Sequence, residues 1–311
     1  SGLLGSCGKE DSNLSPSYED RDWFRIEDKP GEVNHMIYDV YTTYGVSIFY
    51  NDTIGYEERG YDAYNQPVVY YELLKVGYGI SYLHTSQDYM LCTDTSAMEK
   101  AVELLRDYVL KPYPAKLKKT KSYFLVDSIF TSDYGDKPNF AYWSLTTTVA
   151  GQLSDILKMT REEQRFWAGM ILAEDLVSYV MIDLYKEDLE AFYDITDDGS
   201  VAGKNTLYDL SSTYNITSNY KDKFFDVDIR EWGFIGDWVS ERAGQIVSAG
   251  IVYDVVYRNT STKTNDVKRY IAAVYAYTER EFESIYAEWP KCVKKYKAMK
   301  AIVEKFKEKY S

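Results

Sequence analysis

Histidine and cysteine are scarce in this chain, which has two His and three Cys among its 311 residues. Zinc hydrolases that bind the metal through histidine need two or three His, often four residues apart on one helix face. His35 and His84 are far apart in sequence, so that pattern is absent. A Ser-His-Asp triad would have to use one of them, and no Gly-x-Ser-x-Gly turn is present to hold the nucleophile. The sequence therefore lacks the usual motifs of zinc and serine hydrolases.

The chain also lacks an excess of positive charge, a phosphate-binding loop and a long apolar run. Its 36 Lys and Arg are outnumbered by 49 Asp and Glu, which gives a net charge of −13. This balance argues against a nucleic-acid partner, because phosphate contacts need a dense cationic surface. No Gly-rich phosphate loop is present, and we predict no cofactor. No run approaches the roughly 20 apolar residues that span a bilayer.

Tyrosine is the residue in excess, with 32 Tyr against 12 Phe. A tyrosine side chain combines a large, rigid contact area with a polar tip, which suits wet surfaces and extracellular recognition. A general compositional bias of secreted proteins explains the excess as well, and we favour that explanation over a dedicated ligand site.

The first residues contain a lipidation motif. The sequence LGSC at residues 4–7 resembles a bacterial lipobox, in which small residues before a cysteine allow cleavage and attachment of a lipid to the sulfur. Lys9, Glu10 and Asp11 resemble the Lys plus two acidic residues that direct Bacteroidetes lipoproteins to the outer face of the outer membrane. The charged and apolar parts of a signal peptide are missing, so we expect that the chain has been trimmed at its front.

We therefore predict that Cys7 is lipidated and anchors the protein to the outer membrane, facing the cell exterior. Residues 1–17 would form the lipidation site and a flexible tether, and residues 18–311 would form one folded domain. Cys92 and Cys292 would then lie in an oxidising compartment, where a disulfide is possible. Nothing in their spacing brings them together, so the unpaired state is the favoured prediction.

Hydrophobic periodicity, cap residues and breakers divide the chain into helices and strands. Helices are predicted at residues 31–44, 95–109, 161–185, 237–257, 264–289 and 290–310. Strands are predicted at residues 46–50, 122–130 and 140–149, loops at 55–67 and 194–219, and either strand or helix at 67–79. The predicted class is α+β, with a mixed sheet and helices in the N-terminal half and a mainly helical C-terminal half.

The predicted helix at residues 161–185 carries the leading candidate for a functional residue. Its apolar residues, three and four apart, project within about 60° of Glu174. A carboxylate in a buried stripe is costly to desolvate, so Glu174 is either functional or paired. Asp175 points about 100° away and is not expected to be its catalytic partner. We favour a structural Glu, held by an Arg or by Tyr hydroxyls, over the general acid of a glycoside hydrolase.

Two further segments have simpler interpretations. The sequence DITDDG at residues 194–199 resembles a calcium loop, but Thr196 and Asn205 stand where such a loop needs an acidic or amide ligand and a Glu. A polar turn is therefore favoured there. The last helix is rich in lysine and could contact an anionic partner, but we favour a solvated face with charge suited to a helix C-terminus. These lysines are Lys291, Lys294, Lys295, Lys297, Lys300, Lys305, Lys307 and Lys309.

The layout resembles that of the zincin-like metallopeptidase lipoproteins of Bacteroidetes. The resemblance spans most of the folded chain and rests on four short sequences in their order along it. They are YGV at residues 44–46, YV at 108–109 before Pro112, FLVDS at 124–128, and WGFI at 232–235 leading into a predicted helix.

In that family the central helix carries His-Glu-x-x-His, which supplies two zinc ligands and a catalytic base. The resemblance places Ala173 and Val177 at the two His positions and keeps only the Glu, as Glu174. The sequence SERAGQ at residues 240–245 departs from the acidic motif that follows in the family. The resemblance thus implies a zincin-like fold in which zinc cannot be bound in the usual way.

Three functions remain open at this stage. The first is a cell-surface lipoprotein whose non-catalytic zincin-like domain binds an extracellular polymer or a protein partner. The second is a metal-independent hydrolase, similar to a glycosidase, that uses Glu174 with a second carboxylate. The third is a zinc metallopeptidase with an atypical ligand set, such as His84 with acidic residues.

Overall fold

The computed structural model describes residues 21–74, 76, 87–131, 140–201, 206–209, 211–215, 227–236 and 240–311. Its helices are α1 Glu32–Tyr44, α2 Thr95–Leu104, α3 Leu153–Ile156, α4 Arg161–Val180, α5 Lys186–Thr196, α6 Lys263–Ala276, α7 Glu279–Ile285 and α8 Pro290–Tyr310. Its strands are β1 Ser47–Phe49, β2 Thr53–Tyr61, β3 Pro67–Leu73, β4 Gln87–Leu91, β5 Ser122–Thr131, β6 Ala141–Trp143, β7 Thr147–Ala150, β8 Ser211–Asn215, β9 Ser240–Ser248 and β10 Ile251–Asn259. The predicted lipidation site and export signal (Cys7, Lys9, Glu10 and Asp11) lie outside the described residues, as does His84.

The central sheet is mixed and confirms the α+β class. Its strand order is β1-β5-β7-β6, with β4 paired to β5. Strands β1, β5 and β7 are parallel, whereas β6 and β4 run antiparallel to their neighbours. Side chains of β5 alternate between the two faces of this sheet. Tyr123 and Leu125 belong to the main core, and Phe124 and Val126 to a smaller core on the other face.

Helix α4 lies in the main core and organises the helical layer. A capping box begins it, in which Thr160 Oγ1 accepts from the Glu163 N–H and the Glu163 carboxylate accepts from the Thr160 N–H. One side of α4 packs against β6, β7 and the π-helical turn Leu105–Leu110, and another side packs against α6. The helix ends at Val180, before the predicted residue 185. None of the helices in the described residues has an apolar stretch long enough to cross a membrane.

The packing of α4 on α6 depends on Gly169. A Cβ atom at this position would lie 2.7 Å from the Ala272 carbonyl oxygen, so the two backbones would have to move apart. Gly169→Ala is expected to lower the free energy of unfolding by about 1–3 kcal/mol, the cost of overpacking a core, although alanine favours helix. Urea unfolding measures this, with Ser178→Ala at an exposed position of α4 as the control. If Gly169→Ala has the same free energy of unfolding as the wild type, α4 and α6 can move apart slightly without loss of stability, and the prediction is wrong.

Three predicted elements are wrong because the chain turns back on itself. The predicted helix at residues 237–257 is instead the antiparallel pair β9 and β10. Ala249 and Gly250 join these strands with φ of 51° and 76°, as a two-residue hairpin turn requires. The predicted strand at 140–149 is two antiparallel strands, β6 and β7. The predicted loop at 55–67 is mostly strand, because β2 pairs with β3.

The C-terminal half is therefore less helical than predicted. A three-stranded sheet, in the order β8-β10-β9, lies within it. Part of the predicted loop at residues 194–219 belongs to α5 and β8. The predicted helix at 264–289 is divided into α6 and α7, because Thr278 begins a new helix through a capping box with Glu281.

The remaining elements follow the sequence pattern closely. The helices predicted at 31–44 and 290–310 and the strands predicted at 46–50 and 122–130 match α1, α8, β1 and β5 to within one residue at each end. Gly45 ends α1 in the left-handed conformation, with φ of 69°. Helix α2 is capped by Asp94, which accepts from the N–H groups of Ser96 and Ala97, and it begins at Thr95 as predicted.

Candidate functional site

Glu174, the leading candidate from the sequence, is engaged in an ion pair between helices. Its Oε2 atom lies 2.7 Å from Nζ of Lys268 on α6, and the two side chains are 15% and 19% exposed. Glu174 is therefore paired, but its partner is a lysine, and the predicted partners, an Arg or tyrosine hydroxyls, are wrong. An ion pair that joins two packed helices leaves this carboxylate poorly placed for acid catalysis.

Removal of the Glu174 carboxylate tests this structural role. Glu174→Ala is expected to lower the free energy of unfolding by about 1–2 kcal/mol, between the values for exposed and buried pairs, because Lys268 then loses its partner. Chemical denaturation of Glu174→Ala, Lys268→Ala and the double variant measures the coupling. Additive effects of the two substitutions would contradict the assignment.

The most deeply buried carboxylate of α4 is the neighbouring Asp175. Its Oδ2 accepts from the Tyr123 hydroxyl at 2.7 Å and its Oδ1 from Thr148 Oγ1 at 2.6 Å. Burial raises the pKa of Asp175 to about 7, and the two hydrogen bonds oppose that rise. The sequence argument missed Asp175 because it assumed one buried stripe, whereas α4 is buried on two sides. Asp175 faces β5 and β7 while Glu174 faces α6, so the two do not form a catalytic pair.

Lys295 occupies the second buried polar cluster, and its placement on a solvated face was wrong. The Lys295 side chain is 0% exposed. Its Nζ donates to Asp266 Oδ2 at 2.5 Å, to Thr196 Oγ1 at 2.8 Å and to the Tyr208 hydroxyl at 3.1 Å. Aromatic rings also surround the ammonium group, with the Phe192 ring centroid 4.6 Å from Nζ. This lysine thus joins α5, α6 and α8 in the core.

A small cavity adjoins this cluster. It has a volume of about 10 Å³, and Asp266, Thr260, Ser261 and Arg269 are among the residues that line it. Asp266 Oδ1 is buried and has no hydrogen-bond partner among the described residues. The cavity is just large enough for one water molecule. A volume this small excludes organic substrates, so the cluster is a structural feature.

The candidate calcium loop is a polar turn. Asp197 accepts hydrogen bonds from the Thr206 hydroxyl and the Leu207 N–H, which closes the turn. Asp198 accepts from the Ser200 N–H and pairs with Lys291 on α8 at 2.9 Å. Hydrogen bonds from Ser200 and Lys291 hold the pKa of Asp198 at about 2. No cluster of metal-ligating side chains occurs within the described ranges.

The cysteines and the described histidine have local structural partners. Cys92 and Cys292 are free, buried thiols. Cys92 Sγ donates to the Asp94 carbonyl and Cys292 Sγ to the Arg230 carbonyl. His35 lies on the surface with Nδ1 2.5 Å from an oxygen of Asp28.

At the positions that the family resemblance assigns to zinc ligands, the structure has core side chains. Ala173 is 0% and Val177 9% exposed, and both belong to the main core. The WGFI sequence ends the 3₁₀ helix Ile229–Trp232 and packs into the same core. The next described element is strand β9, so the prediction that this sequence leads into a helix is wrong.

A large cleft lies at the β1 edge of the central sheet, and no residue of α4 lines it. Its volume is about 1010 Å³, and its walls come from residues 21–29, α1, β1 and the hairpin of β2 and β3. Residues 21–29, here termed the arm, form one wall of this cleft. Polar and apolar side chains both contribute to it, including Arg25, Lys29, Tyr56 and Tyr71. The cleft is large enough for a ligand of several rings.

Aromatic and ionic contacts fix the arm against the hairpin. The Trp23 and Tyr70 rings lie 6.0 Å apart, and the Arg21 guanidinium lies 4.3 Å from the Trp23 ring centroid. Arg21 also pairs with Glu57 at 3.5 Å. At the sheet, the Ser47 hydroxyl donates to the carbonyl oxygen of Phe24. These contacts make the cleft a preformed feature of the fold.

Four exposed tyrosines mark this hairpin. Tyr56, Tyr61, Tyr64 and Tyr71 are 65%, 69%, 85% and 59% exposed, and every other tyrosine with a described side chain is at least partly buried. Tyr56 and Tyr71 are cross-strand partners, with ring centroids 6.4 Å apart, and both line the cleft. Clustered apolar surface that remains in water commonly marks a binding site.

Sequence reasoning missed this site, although its signal is visible in the chain. The tyrosine excess also fits a general compositional bias, and the sequence pattern predicts a loop at residues 55–67. Strand alternation in β2 and β3 places Tyr56 and Tyr71 side by side, and only the pairing register shows this.

Comparison with known proteins gives no assignment. No known protein family, no curated protein and no solved structure matches this chain.

Proposed function

We propose that this protein is a cell-surface lipoprotein, anchored to the outer membrane through Cys7, whose zincin-like domain binds an extracellular polysaccharide without catalysis. The observation that carries the proposal is the cleft between the arm and the β2–β3 hairpin, with Tyr56 and Tyr71 on its wall. The lipobox-like sequence and the acidic export motif support the location.

Exposed tyrosine pairs beside polar side chains suit a sugar polymer. The C–H faces of sugar rings pack on aromatic rings, and the sugar hydroxyls need hydrogen-bonding groups nearby. The cleft offers both, since Asn34, Asn51 and Thr53 line it together with the two tyrosines. A preformed cleft also limits the entropy lost when a flexible polymer is ordered on binding.

The surroundings of α4 support a non-catalytic role. Glu174 is paired with Lys268, and Asp175 is sealed between α4 and the sheet. Ala173 and Val177 provide no metal ligand. A metal-independent hydrolase would need Glu174 in an open cleft beside a second carboxylate, and Glu174 does not line the large cleft. We therefore place binding ahead of hydrolysis.

The double variant Tyr56→Ala/Tyr71→Ala tests the proposed site. We expect it to weaken polysaccharide binding by about five- to hundredfold, because two ring contacts of about 0.5–1.5 kcal/mol each are lost. Affinity gel electrophoresis against a panel of plant, algal and mucin glycans would identify a ligand, and calorimetry would then give the change in Kd.

Trp143→Ala is the matched control for that experiment. Trp143 is an aromatic residue on β6 that is 49% exposed and lies outside the cleft. The proposal predicts that this variant binds like the wild type. Equal losses in both variants, or no retention by any polysaccharide, would contradict it, and binding of a protein partner at the hairpin would then be the alternative.

A further inference from the structure

The arm brings cationic side chains to the cleft of an otherwise acidic protein. Arg25 and Lys29 line the cleft and are exposed, and neither has a carboxylate within ion-pair distance in the described part of the chain. The third cation in the lining, Arg21, is already paired with Glu57. Two basic groups are thus available to a ligand at the arm side of the cleft.

The last residue of a lysine-rich segment lies beside the arm and adds positive charge there. Residues 116–121 read KLKKTK, and no acidic residue occurs between Asp107 and Asp127. Lys121 Nζ lies 4.6 Å from the ring centroid of Phe24, the arm residue that precedes Arg25. Lys121 therefore lies next to the arm cations.

Two acidic residues, Asp22 and Glu27, also line the cleft. Asp22 accepts a hydrogen bond from the Phe24 N–H, which commits one of its oxygens to the arm. The net charge of −13 is spread over the whole molecule, and charges farther away than about 8 Å are largely screened at physiological salt. Arg25 and Lys29 are therefore the lining cations without a carboxylate partner among the described residues, and Lys121 adds a positive charge next to the arm.

We infer that the cleft selects acidic polysaccharides, with Tyr56 and Tyr71 stacking on sugar rings while Arg25 and Lys29 pair with carboxylate or sulfate substituents. This inference rests on the proposed function, since it names the polymer class for the same cleft. The two cations form charge-assisted hydrogen bonds with such groups, which neutral sugars do not offer.

Matched polymers that differ only in charge test this selection. The probes are hydroxyethyl cellulose against carboxymethyl cellulose, dextran against dextran sulfate, and methyl-esterified pectin against polygalacturonate. At low salt we expect the acidic member of at least one pair to bind about fivefold tighter or more, which corresponds to about 1 kcal/mol from two exposed ion pairs. The preference should shrink at high salt.

The variant Arg25→Gln/Lys29→Gln is expected to bind the acidic and neutral polymers of each pair equally. The control variant Arg161→Gln/Lys186→Gln changes exposed sites outside the cleft and should retain the preference for the acidic polymer. A thermal melt confirms folding of both. The inference is overturned if Arg25→Gln/Lys29→Gln keeps the preference for acidic polymers. It is also overturned if the wild type shows no such preference while Tyr56→Ala/Tyr71→Ala still abolishes binding. In both cases the proposed function stands. Binding of neither member of any pair, together with no binding in the glycan panel, overturns both.

Discussion

Lys295→Met is expected to destabilise the protein by about 3–5 kcal/mol, because it leaves the buried Asp266 carboxylate without its cationic partner. Asp266 is 1% exposed and depends on Lys295 and the Tyr208 hydroxyl for its hydrogen bonds. Burial raises the pKa of Asp266 and lowers that of Lys295, and their mutual attraction opposes both changes. Urea unfolding at neutral pH measures the loss.

Two further variants separate the ion pair from the loss of packing. Lys294→Met changes the adjacent exposed lysine and should alter the free energy of unfolding by about 0.5 kcal/mol or less. Lys295→Met/Asp266→Asn removes both charges and should be more stable than Lys295→Met alone, because no unpaired charge remains buried. A double variant that is less stable than Lys295→Met would rule out this account.

Asp175 is expected to make folding stability depend on pH between about 4 and 7. Its pKa is about 7 in the folded protein against 3.8 ordinarily, so the folded state binds this proton more tightly than the unfolded state. The resulting stabilisation is fully present below the ordinary pKa and is lost as pH rises through about 7. The shift corresponds to about 4 kcal/mol in total.

Asp175→Asn should remove this pH dependence. Relative to the wild type, the variant should gain about 4 kcal/mol of stability between pH 4 and pH 8, because it has no proton to lose. Asp155→Asn, at an exposed site paired with Lys158, is the control and should show no such gain. Carboxyl carbon NMR of the wild type reports the titration directly, and a midpoint near 4 would refute the prediction.

Local sequence signals account for the parts of the fold where backbone and cap chemistry decide the structure. Gly45 ends α1 because glycine tolerates a positive φ, and Pro290 begins α8 because its missing N–H is not needed in the first turn. The β5 pattern also predicts a buried strand correctly, since β-branched and aromatic residues dominate it.

Burial of individual polar residues did not follow from periodicity. Lys295 belongs to a lysine-rich helix, and its sequence neighbours are solvated, but its own position faces Asp266 on α6. Asp175 was set aside because α4 was assumed to have one buried face. A second packing surface, formed by β5 and β7, receives it. Such partners lie far away in sequence, so a one-dimensional pattern does not contain them.

The binding cleft illustrates the same limit. The tyrosine excess and the acidic composition were visible in the chain, and so was the lysine-rich segment at residues 116–121. The proximity of Tyr56 to Tyr71 depends on the β2–β3 register, and the position of the arm depends on its contact with β1. Both are long-range features.

The sequence by itself determined the α+β class, the bounds of α1, α8, β1 and β5, and the deficit of histidine that removes the usual zinc motifs. The tertiary structure alone decided which carboxylates are paired, that Lys295 is buried, and that Tyr56 and Tyr71 lie together at a cleft. The physical reason is that backbone propensity acts over a few residues, whereas burial, ion pairing and cleft formation depend on contacts between elements distant in sequence.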